Sequence, residues 1–107
     1  MSDDSHPLGP ILSDFADDVE MQELIQLFVS EMPERISEMQ RAYEDADFES
    51  VKRVAHQLKG ACAGYGFSMI GDAAAALEST MKSTQDDINR ISNEFKQLVE
   101  LCSRAAA

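Results

Sequence analysis

Tryptophan is absent, and 107 residues hold only two cysteines, three prolines and five glycines. Cys62 and Cys102 form no CxxC pair, which excludes a disulfide scaffold and suits a reduced, cytosolic compartment. Cations are scarce as well. Nine Lys and Arg stand against 20 Asp and Glu, for a formal charge of -11. Such a chain lacks the clustered positive charge that nucleic-acid phosphates or an anionic membrane surface require. No apolar run approaches the roughly 20 residues of a membrane span. The opening MSDDSHPLGP has neither the basic nor the apolar region of a secretory signal. His6 and His56 are not spaced with other ligands, so no metal site is expected. A Gly-rich phosphate loop, a Walker lysine and a kinase signature are missing too, which excludes ATP chemistry of those kinds.

What is present is a 44% apolar content, the share of one globular domain with a packed core. Residues 1–10 carry two of the prolines and one glycine and read as a flexible lead-in, leaving 11–107 as the folded domain. Strand signals are weak, whereas helical periodicity is strong. From residue 18, Met21, Leu24, Ile25, Phe28, Met32, Ile36, Met39 and Tyr43 define one stripe at steps of three and four. Asp17 with Glu20 resembles a capping box at its start. Pro33 interrupts the run and predicts a kink, or two helices breaking near Ser30–Met32 with the first part a separate lid helix.

Asp47 is the N-cap of a second helix whose inward positions are Phe48, Val51, Val54, Ala55, Leu58 and Cys62. Gly64 and Gly66 are read as its end and as turn-formers. A third helix is expected over Ser68–Lys82, with Met69, Ile70, Ala73, Ala74, Leu77 and Met81 inward. Thr84 and Asp87 cap a fourth, with Ile88, Ile91, Phe95, Leu98 and Cys102 as its stripe. Short connections favour antiparallel neighbours. The predicted fold is all-α: an antiparallel, up-and-down four-helix bundle. With every stripe buried internally, it should be a monomer. The start at Met1 and the polar tail read as a stand-alone protein.

Chemistry has one evident place to sit. At about 100° per residue, Val51, Ala55, Leu58 and Cys62 fall on the far side of the second helix from His56. Lys52, Lys59, Gly60 and Ala63 lie within about 60° of it, and Arg53 flanks them. No Asp or Glu occurs from Ser50 through Gly71, so His56 sits in a basic window of an acidic chain. Gly60 in a helix interior costs roughly 0.5–1 kcal/mol against alanine. It serves either close approach of a partner to the imidazole or close packing of a neighbouring helix. An exposed imidazole is largely neutral at pH 7 and nucleophilic. A lysine one turn away balances a negative group placed on it. Spacing alone leaves the ordinary readings open, a solvated histidine among solvated lysines.

The stretch Ala55-His56-Gln57-Leu58-Lys59-Gly60, followed by Gly66, resembles the A-H-x-L-K-G signature of histidine-containing phosphotransfer (HPt) domains. Phe28–Arg35 (FVSEMPER), Ala46-Asp47-Phe48 and Leu77-Glu78 resemble further segments of that family, so the likeness runs from about Ile11 to Arg104. It implies a phosphorelay intermediate of two-component signalling, without an ATP site and without its own cofactor. His56 would be the phosphoacceptor and Lys59 the balance for phosphoryl charge. Gly60, with Lys52, Gln57 and Ala63, would form the partner face, and Gly66 would shape the turn into the third helix. Cys62 and Gly64 would be structural. Glu78 falls where some members place a polar residue that orients the imidazole. An ordinary solvated helix charge is the equal alternative. Partners would be receiver domains of response regulators or a hybrid histidine kinase, and Mg²⁺ would sit in the receiver. Tyr65 and Phe67 are candidates for the rim of that face, with core packing at least as good a reading for Phe67. The competing readings are a docking bundle without phosphotransfer, and an enzyme with Cys62 as nucleophile and His56 as base. The latter two side chains point about 120° apart on the helix.

Overall fold

Three aspartates and one glycine punctuate the chain. The computed structural model describes residues 9–83 and 87–107. Asp18 caps a 3-10 turn, Val19–Met21, accepting from the Glu20 N–H at 3.0 Å. That turn runs straight into helix α1, Gln22–Glu44. The start therefore lies one residue beyond Asp17, and the Asp17–Glu20 box is replaced by an Asp18 cap. Asp47 caps α2, Phe48–Tyr65. Its Oδ1 accepts from Ser50 N at 3.2 Å and its Oδ2 from the Ser50 hydroxyl at 2.6 Å. Asp87 caps α4, Ile88–Ser103, accepting from Arg90 N at 3.1 Å. Between them lies α3, Ser68–Ser83. Thr84, read as part of the last cap, lies outside the described residues, as do residues 1–8 of the lead-in.

Pro33 neither splits α1 nor sets off a lid helix. Burial explains why. Ile25, Phe28 and Met32 before it and Met39 and Ala42 after it enter one core. The ring itself is exposed, off the buried stripe of α1. Burying five side chains on one continuous axis outweighs a penalty of about 3 kcal/mol.

Phe28 stacks on Tyr65 while Tyr43 meets Phe48, so α1 and α2 run antiparallel. Gly71 lies against Cys62 while Glu78 reaches His56, so α2 and α3 do the same. Tyr43 also stacks on Phe95 of α4, with centroids 4.3 Å apart, which closes the four-helix ring. Leu58, Ile70, Leu77, Ile91 and Leu98 are fully buried at its centre. Three positions expected inside are not. Leu24, Met69 and Ile88 are exposed, each within the first turn of its helix, where the bundle no longer covers the stripe.

A small addition to the all-α expectation ties the chain ends. Ile11–Leu12 (β1) pairs in parallel with Ala105–Ala106 (β2), Ile11 opposite Ala105. The Ile11 N–H donates to the Arg104 carbonyl at 2.7 Å. Arg104 Nε donates to the Gly9 carbonyl at 2.8 Å.

Candidate functional site around His56

His56 projects from the middle of α2 with its side chain 64% exposed. Its Nδ1 is 2.8 Å from Oε2 of Glu78, which comes from α3 and is 4% exposed. Gly71 makes this reach available. A Cβ there would stand 3.1 Å from the Cys62 Cβ, so α2 and α3 approach closely nearly two turns away. Glu78 belongs to the inward stripe of α3 with Ala74, Leu77 and Met81. A carboxylate that is buried must be paired. Here Lys59 Nζ lies 2.9 Å from Oε1, and Lys82 Nζ lies 3.1 Å from Oε2. The Lys59 hydrogen bond is the main force holding the Glu78 carboxyl down at about 2. Burial opposes it, and Lys82 and His56 assist it. Glu78 is thus ionised at neutral pH and offers only acceptors, so the hydrogen of the His56 pair sits on Nδ1.

The solvated-charge alternative for Glu78 is therefore overturned. The basic window is also less basic than the linear sequence suggests. Lys52 bonds Glu49, one residue before the window, at 3.2 Å, and Lys59 bonds Glu78 from another helix. Lys82 was missed by sequence reasoning. Its i, i+4 spacing from Glu78 was a readable signal. Gly60 is exposed, and a Cβ built on it meets nothing within 4 Å, so it packs against no neighbouring helix. Gln57 and Ala63 are exposed beside it. Gly64 lies inside α2 rather than at its end, again with open space around it. Gly66 alone ends the helix, in the left-handed conformation with φ +82°, its N–H returning to Cys62 O.

Residues 23–105 match the family model of the Hpt domain. The chain belongs to that family. Comparison with curated proteins and with solved structures gives no match. Hpt domains are phosphotransfer modules of two-component phosphorelays rather than kinases, and they work with receiver or kinase partners. Among the described residues, no helix is long and apolar enough to cross a membrane. Nor do three His, Cys, Asp or Glu side chains among them gather as a metal cluster would require.

Other side chains of this Hpt domain fall into place around that frame. Cys62 is buried, and burial pushes its thiol up to about 11, so a thiolate nucleophile working with His56 has no basis. Cys102 is buried likewise, its thiol raised to about 12. Phe67 is fully buried, and both Phe67 and the half-buried Tyr65 stack on Phe28. These two aromatics belong to the packing beneath the α2–α3 turn, not to the surface beside His56.

Proposed function

We propose that this Hpt domain is a phosphorelay intermediate. His56 takes a phosphoryl group from a receiver aspartyl phosphate or a histidine kinase and passes it to a response-regulator receiver. The observation that carries this reading is the pairing of an exposed imidazole with a buried, ionised carboxylate. Glu78 keeps the hydrogen on Nδ1 and so leaves the in-plane lone pair on Nε2. That lone pair forms the N–P bond as the P–O bond to the donor aspartate breaks, and the electron pair departs with the aspartate carboxylate. The ring becomes an imidazolium with hydrogen on Nδ1 and phosphoryl on Nε2, its positive charge next to Glu78. In the return step an acceptor aspartate attacks phosphorus, the N–P bond breaks, and the pair returns to Nε2.

Lys59 offsets the phosphoryl charge. The low surface at Gly60, Gln57, Ala63 and Gly64 admits the partner, with Lys52 at its rim. Mg²⁺ for the transfer belongs to the receiver's acidic pocket. We place the protein in the cytoplasm as a monomer. The test is incubation with a panel of phosphorylated receivers, with His56→Gln alongside. Acid-labile, base-stable label on wild type and none on the variant is the expected result. Binding of receivers with no label on wild type would overturn it in favour of a docking module.

A further inference from the structure

We infer that Lys82 is a positioning residue for the His56 reaction, acting through Glu78 by freeing Lys59 for the phosphoryl group. The inference rests on the phosphotransfer reading above. Two anions compete for one cation in the site. The cation that best suits a phosphoryl group on His56 is Lys59, one turn along α2 from the imidazole. Yet Lys59 is already bonded to Glu78 Oε1 at 2.9 Å. Glu78 is 4% exposed, so a departing Lys59 leaves a buried charge to be satisfied by what remains.

What remains is His56 and Lys82, both on Oε2, at 2.8 and 3.1 Å. Lys82 sits on the same helix as Glu78, one turn further on, so it follows the carboxylate wherever α3 goes. Its side chain is 61% exposed and already on the carboxylate, so it stays to cover that charge as Lys59 leaves. Charge count supports the arrangement. Two ammonium groups face one carboxylate, so one positive charge is in excess over the resting site. A phosphoryl dianion arriving on Nε2 then meets a cluster with a cation to spare. Without Lys82 a single ammonium is left between two anions, Glu78 and the phosphoryl group, and only the His56 ring stays with the carboxylate. The buried anion holds it the more strongly, because solvent screens that pair less. A shallow cleft lined by Lys59, Glu78, Ser79, Lys82 and Ser83 leaves room for both lysine heads to move.

The test uses the whole chain and a small donor, so that no partner surface enters. Phosphoramidate transfers its phosphoryl group to Nε2 as the P–N bond to its own nitrogen breaks and ammonia leaves with a proton from water. Rates of label uptake are measured for wild type, Lys82→Met, Lys82→Arg, Glu78→Gln and the Glu78→Gln/Lys82→Met double variant. Thermal unfolding of each variant checks that it is folded. Lys82→Met should label roughly three- to ten-fold more slowly than wild type, the effect of one partly exposed charged contact. Lys82→Arg should restore most of the rate, because it keeps the charge. In the Glu78→Gln background no buried anion competes for Lys59, so Lys82→Met should add little. A wild-type rate in Lys82→Met overturns the inference and leaves the phosphotransfer reading intact. An equal loss in both backgrounds also overturns it, because Lys82 would then act on the phosphoryl group directly. Absence of label on wild type with every donor overturns the phosphotransfer reading, and the inference falls with it.

Discussion

Replacing Gly66 by alanine tests how the α2–α3 turn is built. The substitution acts twice. Its φ of +82° belongs to the left-handed region, which costs a residue with a Cβ about 1–2 kcal/mol. The new Cβ also meets Ser13 Oγ at 2.6 Å, Phe15 Cδ2 at 3.0 Å and Asp14 N at 3.1 Å. Two of these are held in place. Ser13 Oγ donates to Tyr65 O at 2.6 Å and accepts from Phe15 N at 2.9 Å, and Asp14 N donates to Gly66 O at 2.8 Å. Moving the 13–15 segment away weakens bonds worth about 0.5–1.5 kcal/mol each, of which one or two should be lost. The total is about 1.5–5 kcal/mol, and the middle of that range is a Tm drop on the order of 15 °C for a domain this size. Urea unfolding followed by far-UV circular dichroism measures it. A second variant separates the two contributions. In a Ser13→Gly background the closest clash is gone, so Gly66→Ala should cost visibly less. A cost below about 1 kcal/mol, or the same cost in both backgrounds, would refute the reasoning.

Four further predictions concern the site, its helix and the turn before it. The Glu78 carboxyl is held at about 2 against an ordinary value of 4.5. Its ion pairs therefore contribute stability that is complete above about pH 4.5 and is lost as pH falls towards 2. The stability difference between wild type and Glu78→Gln, measured by urea unfolding at pH 6 and 2.5, should shrink at the lower pH; a constant difference contradicts the pairing. Gly60→Ala should raise stability by about 0.5–1 kcal/mol, because nothing lies within 4 Å of the new Cβ. Gly60→Leu should fold equally well but slow transfer from receivers far more than transfer from phosphoramidate. Ala46, in the turn between α1 and α2, is the non-glycine residue with positive φ among the described residues, +58°. Ala46→Gly should stabilise by up to about 1 kcal/mol in thermal unfolding, and a loss would mean that the strain relieved is smaller than the entropy glycine adds to the unfolded chain.

Much of this fold was legible because it is written in local chemistry. Asp47 and Asp87 cap helices, and Gly66 ends one, through bonds that reach only three or four residues. The stripes of α2 and α4 follow from the helical repeat, as does the outward direction of His56. What escaped depends on distant parts of the chain. Pro33 is a helix breaker by its own chemistry, and only the core on both sides keeps α1 whole. Met69 and Ile88 have the right spacing, but helix ends protrude beyond their neighbours. Glu78 had two equal readings because nothing in its own segment tells that α3 turns it onto Lys59 and His56. Gly71 gave no sign that it permits the close α2–α3 approach. The pairing of Ile11–Leu12 with Ala105–Ala106 joins segments over ninety positions apart, beyond any periodicity.

That terminal clip has a mechanical meaning. In a parallel pair, the incoming end of one strand and the outgoing end of the other lie at opposite ends of the ladder. Tension applied to the two ends of this domain therefore runs along β1 and β2 and strains their hydrogen bonds together, in shear rather than one by one. The Arg104 side chain, bonded to the Gly9 carbonyl, lies in the same line of force. Four short residues thus take the load before any helix does. A pull would open the clip while the His56–Glu78 pair, held between α2 and α3, stays out of its path.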